Sequence, residues 1–211
     1  MGATTSDFLF ESLKKEIYSG TLRPGSALRQ EEIAKRHNVS RIPVREALLR
    51  LESTGLINIK SNRGAYVIEM TRQEITEVFD LRVLLECNLL SKSITMMQGR
   101  DLNNIRHAAK LTELISEHNP DWIELDNNFH YAMYAVAGQK RQMSIIESLR
   151  STSHWYRSAY NVLPNSSNDF LDEHWILVEA CESGNVELGV MTLRNHLTNA
   201  AQIVLSNTPP N

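Results

Sequence analysis

The chain has 211 residues, 42% of them hydrophobic and 22% charged, which is enough to bury the core of one large or two small domains. Its net charge of −3 excludes a polycation, yet residues 1–70 carry 11 Lys and Arg against 8 Asp and Glu, and residues 71–211 carry 11 against 17, so a basic excess of +3 sits at the N-terminal end. The two isolated cysteines, Cys87 and Cys181, make no disulfide framework, and no stretch approaches the ~18 apolar residues of a membrane span or resembles an export leader, so a reduced, cytoplasmic protein is expected.

Residues 6–19 read as a helix with Phe10, Leu13 and Ile17 on one face, and Gly20 is placed to end it in the left-handed conformation. Leu22-Arg23-Pro24-Gly25 is turn chemistry. Residues 30–37 read as a short helix with Ile33 and Ala34 inward, after which Asn38-Val39 turns the chain. The next helix is predicted to begin at Arg41, with Ser40 as N-cap and Pro43 in the first turn, where a missing N–H costs nothing. At about 100° per residue, Val44, Ala47, Leu48 and Leu51 form one apolar stripe. Arg41 and Arg45 stand one turn apart beside it, next to Ile42, Glu46 and Leu49. A helix that packs with one face and presents arginines on the other suits the DNA major groove, where the guanidinium fork matches guanine; Arg41 serves equally well as a phosphate contact. Residues 56–60 and 65–69 are β-rich, and Ser61-Asn62-Arg63-Gly64 between them supplies a hairpin turn. Arg63 at its tip is placed to reach phosphate or a minor groove, or to remain a solvated turn residue.

Leu22-x-Pro24-Gly25-x-x-Leu28, then Val39-Ser40-Arg41-x-Pro43-Val44-Arg45-Glu46-Ala47-Leu48-x-x-Leu51-x-x-x-Gly55-Leu56, then Arg63-Gly64-Ala65-x-Val67 closely resembles the winged helix-turn-helix of GntR-family transcription regulators. The resemblance implies a winged helix-turn-helix over residues 1–70 that binds double-stranded DNA through Ser40, Arg41, Arg45, Arg63 and Gly64. Some members carry an arginine that touches bases shortly before the second helix; here Glu31 stands near that place, so only Arg41 and Arg45 are assigned as base readers. A domain of net charge +3 offers too few contacts for tight specific binding alone, so a homodimer on an inverted-repeat operator is expected.

From Thr71 onward the pattern is helical. Thr71 with Glu74 reads as a capping box opening a helix that runs to about Gln98, where Gly99 is expected to stop it. Further helices are predicted over 101–117, 120–136, 139–160, 169–183 and 186–205, with a loop over 162–168, a tight turn at Gly184-Asn185 and a tail over 208–211. The fold class is therefore mainly α: a winged helix-turn-helix followed, over 71–211, by an all-α bundle of six helices.

Polar residues fall where this bundle needs a core. In 120–136, Trp122, Phe129 and Met133 define the inward stripe, with Asp126 and His130 one turn apart on its flank. His174 lies between Phe170, Val178 and Cys181, and His196 sits at a stripe margin beside Gly189 and Ala200. His174 is 10 residues before Gly184 and His196 is 12 after it, so in an antiparallel hairpin they lie ~15 and ~18 Å from the same turn and come out level. A lone inward histidine is ordinarily a hydrogen-bonded core residue, but three with an aspartate suit Zn²⁺ or another first-row divalent ion. Asp126-x-x-Phe129-His130, Glu173-His174-x-x-Leu177 with Ala180, and His196-Leu197 resemble the metal-binding pattern of the FadR C-terminal (FCD) ligand domain of the same family, and six helices resemble its VanR-type branch. The resemblance implies Asp126, His130, His174 and His196 as ligands, with Zn²⁺ ahead of Ni²⁺, Mn²⁺ or Fe²⁺.

Arg82 points into the stripe of Val78, Leu85 and Leu89, where a guanidinium needs a partner. It either pairs with Glu86, one turn on, or anchors a small carboxylate effector that bridges to the metal. Arg150 and Arg157 lie near an inward face less clearly. The expected function is a ligand-responsive transcription regulator, a repressor rather than an enzyme. A metal-dependent hydrolase fused to a DNA tether is the rival, weakened by the lack of a recognisable general base, and a regulator with a purely structural metal is the third reading.

Overall fold

A computed structural model describes residues 4–60, 64–114, 122–159 and 167–208, with 153–159 and 167–169 described as backbone alone. It divides the chain into two compact units, Met1–Thr71 with His154–Asn161, and Arg72–Ser153 with Val162–Asn211.

The first unit runs α1 (Thr5–Tyr18), β1 (Ala27–Leu28), α2 (Gln30–His37), α3 (Arg41–Ser53), β2 (Ile57–Lys60) and β3 (Gly64–Val67). Thr4 and Asp7 form a reciprocal capping box that starts α1, and Gly20, at φ 73°, takes the left-handed position after its end. Asn38 closes α2 in the same region at φ 53°, a conformation its short polar side chain tolerates, and so sets the turn into α3. Val44, Ala47, Leu48 and Leu51 of α3 are fully buried, packing with Leu9, Leu13 and Ile17 of α1 in the core of the unit. Arg50 ties α3 to α1 from outside, pairing with Asp7 and lying over the Phe10 ring.

Three antiparallel strands in the order β1-β3-β2 complete the winged helix-turn-helix, pairing Ile57 with Val67, Ile59 with Ala65 and Ala27 with Tyr66. Strand β1 has no counterpart in the sequence reading: at two residues it is too short to alternate, and it exists because β3 offers a free edge. The turn residues Ser61, Asn62 and Arg63 lie outside the described residues, whereas Gly64 opens β3 at φ 94°, a backbone angle that favours glycine.

The second unit holds α4 (Arg72–Ile94), α5 (Gly99–Glu113), α6 (Trp122–Ala135), α7 (Lys140–Ala159) as far as Ser153, α8 (Ser167–Ser183) and α9 (Val186–Asn207). Helix α4 packs on α9 and α6, α5 packs on α6 and α8, and α8 and α9 form a hairpin. Their shared core includes Leu89, Leu90, Ile105, Phe129, Met133, Leu177, Leu193 and Leu197. Helix α4 ends at Ile94 rather than near Gln98, and Gly99 begins α5 instead of stopping α4. Gln98 is the reason: it is the N-cap of α5, and its N–H donates to Asp101 Oδ2 at 3.0 Å while the Asp101 N–H donates to its carbonyl. Helix α8 likewise begins at Ser167, two residues before the expected 169. In the α8–α9 turn the Asn185 side chain accepts from Leu188 N–H at 3.1 Å and caps α9.

Candidate metal centre and DNA-reading face

Helix α6 supplies Asp126 and His130 one turn apart, α8 supplies His174 and α9 supplies His196, and all four are buried. Their ligand atoms lie within 4.8 Å of one another, and the nearly equal distances of His174 and His196 from the α8–α9 turn bring those two level. Asp126 Oδ1 stands 3.6 Å from His130 Nε2 and 3.5 Å from His174 Nε2. Both of these buried nitrogens lack a hydrogen-bond partner among the described residues.

The surrounding donors decide where the imidazole hydrogens sit. Thr112 Oγ1 donates to Ala109 O at 2.7 Å, so it can only accept from His174 Nδ1, at 3.5 Å. The Tyr134 hydroxyl donates to Glu86 Oε2 at 2.7 Å, so it can only accept from His130 Nδ1, at 3.2 Å. The Glu173 carboxylate accepts from His196 Nδ1 at 2.7 Å and from Asn199 Nδ2 at 3.2 Å. Each ring therefore carries its hydrogen on Nδ1, and the bare Nε2 atoms of His130 and His174 converge with Asp126 Oδ1, with His196 completing the group. Burial, followed by the charge of Arg150, holds the His130 pKa well below its usual value, which keeps the ring neutral. Burial alone would raise that of Asp126; positive charge or an N–H turned toward it from His130 and His174, together with the Arg150 guanidinium, outweighs burial and holds the carboxyl well below its usual range. Acceptors such as Asp126 Oδ1 and the Nε2 atoms of His130 and His174, facing one another in a dry core, repel unless a cation lies between them. Neutral imidazoles oriented through Nδ1, together with a carboxylate, are a donor set that a first-row divalent ion fits.

Arg82 is buried, and its Nε donates to Glu86 Oε1 at 2.7 Å, so the local pairing open from the sequence is formed. Its Nη1 and Nη2 have no hydrogen-bond partner among the described residues. The arginine that reaches the ligand set is Arg150, through Nη2 to Asp126 Oδ2 at 2.7 Å, while its Nη1 donates to Glu86 Oε2 at 3.1 Å and its Nε to Asn127 Oδ1 at 2.9 Å. Burial would raise the Glu86 pKa, but Arg82 and Arg150 overcome it and bring it to about 2. Sequence reasoning left Arg150 in second place and missed the supporting roles of Glu86, Tyr134, Glu173 and Thr112. The available signal was periodicity, which places Tyr134 one turn after His130 and Glu173 beside His174. The Arg157 side chain lies outside what is described.

On α3, Arg41, Ile42, Arg45, Glu46 and Leu49 are exposed opposite the buried stripe. Ser40 occupies the N-cap, but its side chain makes no cap hydrogen bond. The third helical residue is Pro43, which has no N–H to offer it, so the exposed hydroxyl is not committed to the helix. Arg45 makes no ion pair among the described residues. Arg41 pairs with Glu31 of α2, the residue standing near the place where some relatives carry an arginine. Arg63 lies outside the described residues, so only Gly64 of the wing tip is placed.

Residues 5–67 match the family described as bacterial regulatory proteins, gntR family, and residues 77–199 match the FCD domain. The HTH-type transcriptional repressor RspR of Escherichia coli K12 is 29% identical over 146 residues, 68% of this chain and 64% of that protein's length. A GntR-family regulator from Pseudomonas syringae pv. tomato DC3000 is 30% identical with a TM-score of 0.56, over 95% of this chain and 84% of the other. A GntR regulator from Rhodococcus sp. RHA1 shares the fold more closely, at a TM-score of 0.78, 23% identity and coverage of 97% and 99%. With its N-terminal winged helix matching one half of that architecture and its helical bundle the other, the chain belongs to the GntR family of bacterial regulatory proteins and carries an FCD domain.

Proposed function

We propose that the chain is a ligand-responsive repressor of transcription that binds an inverted-repeat operator as a homodimer through Ser40, Arg41, Arg45, Arg63 and Gly64. Its residues 71–211 hold a divalent ion, Zn²⁺ first, on Asp126, His130, His174 and His196, and bind a small carboxylate that bridges the ion and Arg82. Convergence of Asp126, His130, His174 and His196 in the core, with the Nε2 atoms of His130 and His174 facing Asp126 Oδ1 and lacking hydrogen-bond partners among the described residues, carries this reading. Repression is supported by the similarity to a relative named a transcriptional repressor. No described helix is long and apolar enough to cross a membrane, in keeping with a regulator that meets DNA.

Nη1 and Nη2 of Arg82, without a hydrogen-bond partner among the described residues, offer the parallel N–H donors that a carboxylate accepts. The two carboxylates beside the ligand set, Glu86 and Glu173, are engaged by Arg82, Arg150, Tyr134, His196 and Asn199, an arrangement that orients ligands rather than activates water. Calorimetry with a panel of small mono- and dicarboxylates tests the reading on wild type and Arg82→Lys, which keeps the charge beside Glu86 but removes the fork. Metal content and DNA affinity should stay, and the effector response should be lost. A neutral or cationic effector, or equal carboxylate affinity in the variant, would sink the bridging role of Arg82.

A further inference from the structure

Glu86 belongs to neither the ligand set nor the effector anchor, yet it is wholly buried and accepts three hydrogen bonds, from Arg82, Tyr134 and Arg150. A phenol has one hydrogen to give. Because Tyr134 gives it to Glu86, the hydroxyl must accept from His130 Nδ1, and the bare Nε2 faces the ligand cluster. Turn the hydroxyl round and the reverse tautomer follows. Tyr134 would then donate to Nδ1, and Nε2 would carry a hydrogen toward Asp126 Oδ1, 3.6 Å away, capping two ligands at once. A second path leads from Glu86 through Arg150 Nη1 and Nη2 to Asp126 Oδ2, which leaves Oδ1 for the cluster. Both paths converge on helix α6 from α4, joining residues 48, 64 and 24 positions apart.

We propose that Glu86 is the positioning residue of the metal centre: its charge orients the Tyr134 hydroxyl, which selects the His130 tautomer able to ligate, and steadies Arg150 on the Asp126 oxygen that does not. This rests on the metal-centre reading given above. Groups that orient first ligands in this way typically alter metal affinity 10–100-fold.

Two readouts test it. Long-range ¹⁵N–¹H correlation spectra of metal-free protein with ring-labelled histidine report each tautomer directly, and His130 in wild type is expected as the Nδ1–H form. In Glu86→Gln the amide can donate to Tyr134, so the spectrum should move to the Nε2–H form, and Zn²⁺ affinity in competition with a chromophoric chelator should fall roughly 10–100-fold. Tyr134→Phe leaves the ion pairs of Glu86 intact, but it should abolish the tautomer preference and lower affinity by about tenfold. In that background Glu86→Gln should cost less than in wild type, by the share that runs through Tyr134, and keep the share that runs through Arg150. The Tyr134→Phe and wild-type measurements decide the matter even if Glu86→Gln does not fold. An Nε2–H His130 in wild type, or unchanged affinity with an unchanged tautomer in Tyr134→Phe, overturns the proposal alone. A wild-type chain that takes up no Zn²⁺ overturns the metal-centre reading, and this proposal with it.

Discussion

Replacing Glu31 with glutamine should tighten DNA binding, because the carboxylate competes with DNA for Arg41. The pair links α2 to the start of α3, and its side chains are 72% and 67% exposed, so it stands in high dielectric and contributes only about 0.2–1 kcal/mol. Releasing Arg41 from it is worth about 1.4- to 5-fold in affinity for each reading helix. On a two-fold operator bound by two copies the gain squares, to roughly 2- to 30-fold. Fluorescence anisotropy at fixed low ionic strength, on a duplex selected by the protein from a random pool, measures it, and the gain should shrink as salt rises. Arg41→Ala supplies the control, since Glu31→Gln should then do little beyond removing one negative charge. Weaker or unchanged binding by Glu31→Gln, or an equal gain without Arg41, would refute the competition.

Arg45→Ala should lose discrimination between selected and random DNA by about 1–3 kcal/mol, read as the ratio of the two affinities; a ratio unchanged from wild type would remove Arg45 from base reading. Acid should unfold the metal-free helical unit through Glu86. Folding lowers its pKa from the ordinary 4.5 to about 2, so its stabilisation is fully present above about 4.5 and is lost as the pH falls toward 2. Circular dichroism melting across that window should show a falling Tm in wild type and a flatter profile in Glu86→Gln.

Much of this architecture was legible in the chain itself. The α3 helix has a stripe of four apolar residues at helical spacing, a serine before it and a proline confined to its first turn, so its start and its exposed arginines followed from local chemistry. The four candidate ligands were legible because Asp126 and His130 are one turn apart and because the distances of His174 and His196 from Gly184 are nearly equal. The end of α4 was misread because a glycine after an apolar run resembles a stop, whereas Gln98 and Asp101 turn it into a start. Arg150 was underrated for a different reason: its partners Asp126 and Glu86 are 24 and 64 residues away, and no periodicity within one helix brings them together. Which arginine pairs with which carboxylate is decided by packing.

The central claim is that Asp126, His130, His174 and His196 hold a divalent ion, and its most direct test is elemental analysis of protein prepared without chelator and without an immobilised-metal column. About one ion per chain is expected in wild type, and little in His174→Ala or His196→Ala. Chelation should lower the wild-type melting temperature, since an ion at 100 times its Kd stabilises the fold by about 2.7 kcal/mol. A wild-type protein that carries no metal, and whose melting temperature moves with neither chelator nor added Zn²⁺, Ni²⁺, Mn²⁺ or Fe²⁺, would contradict it.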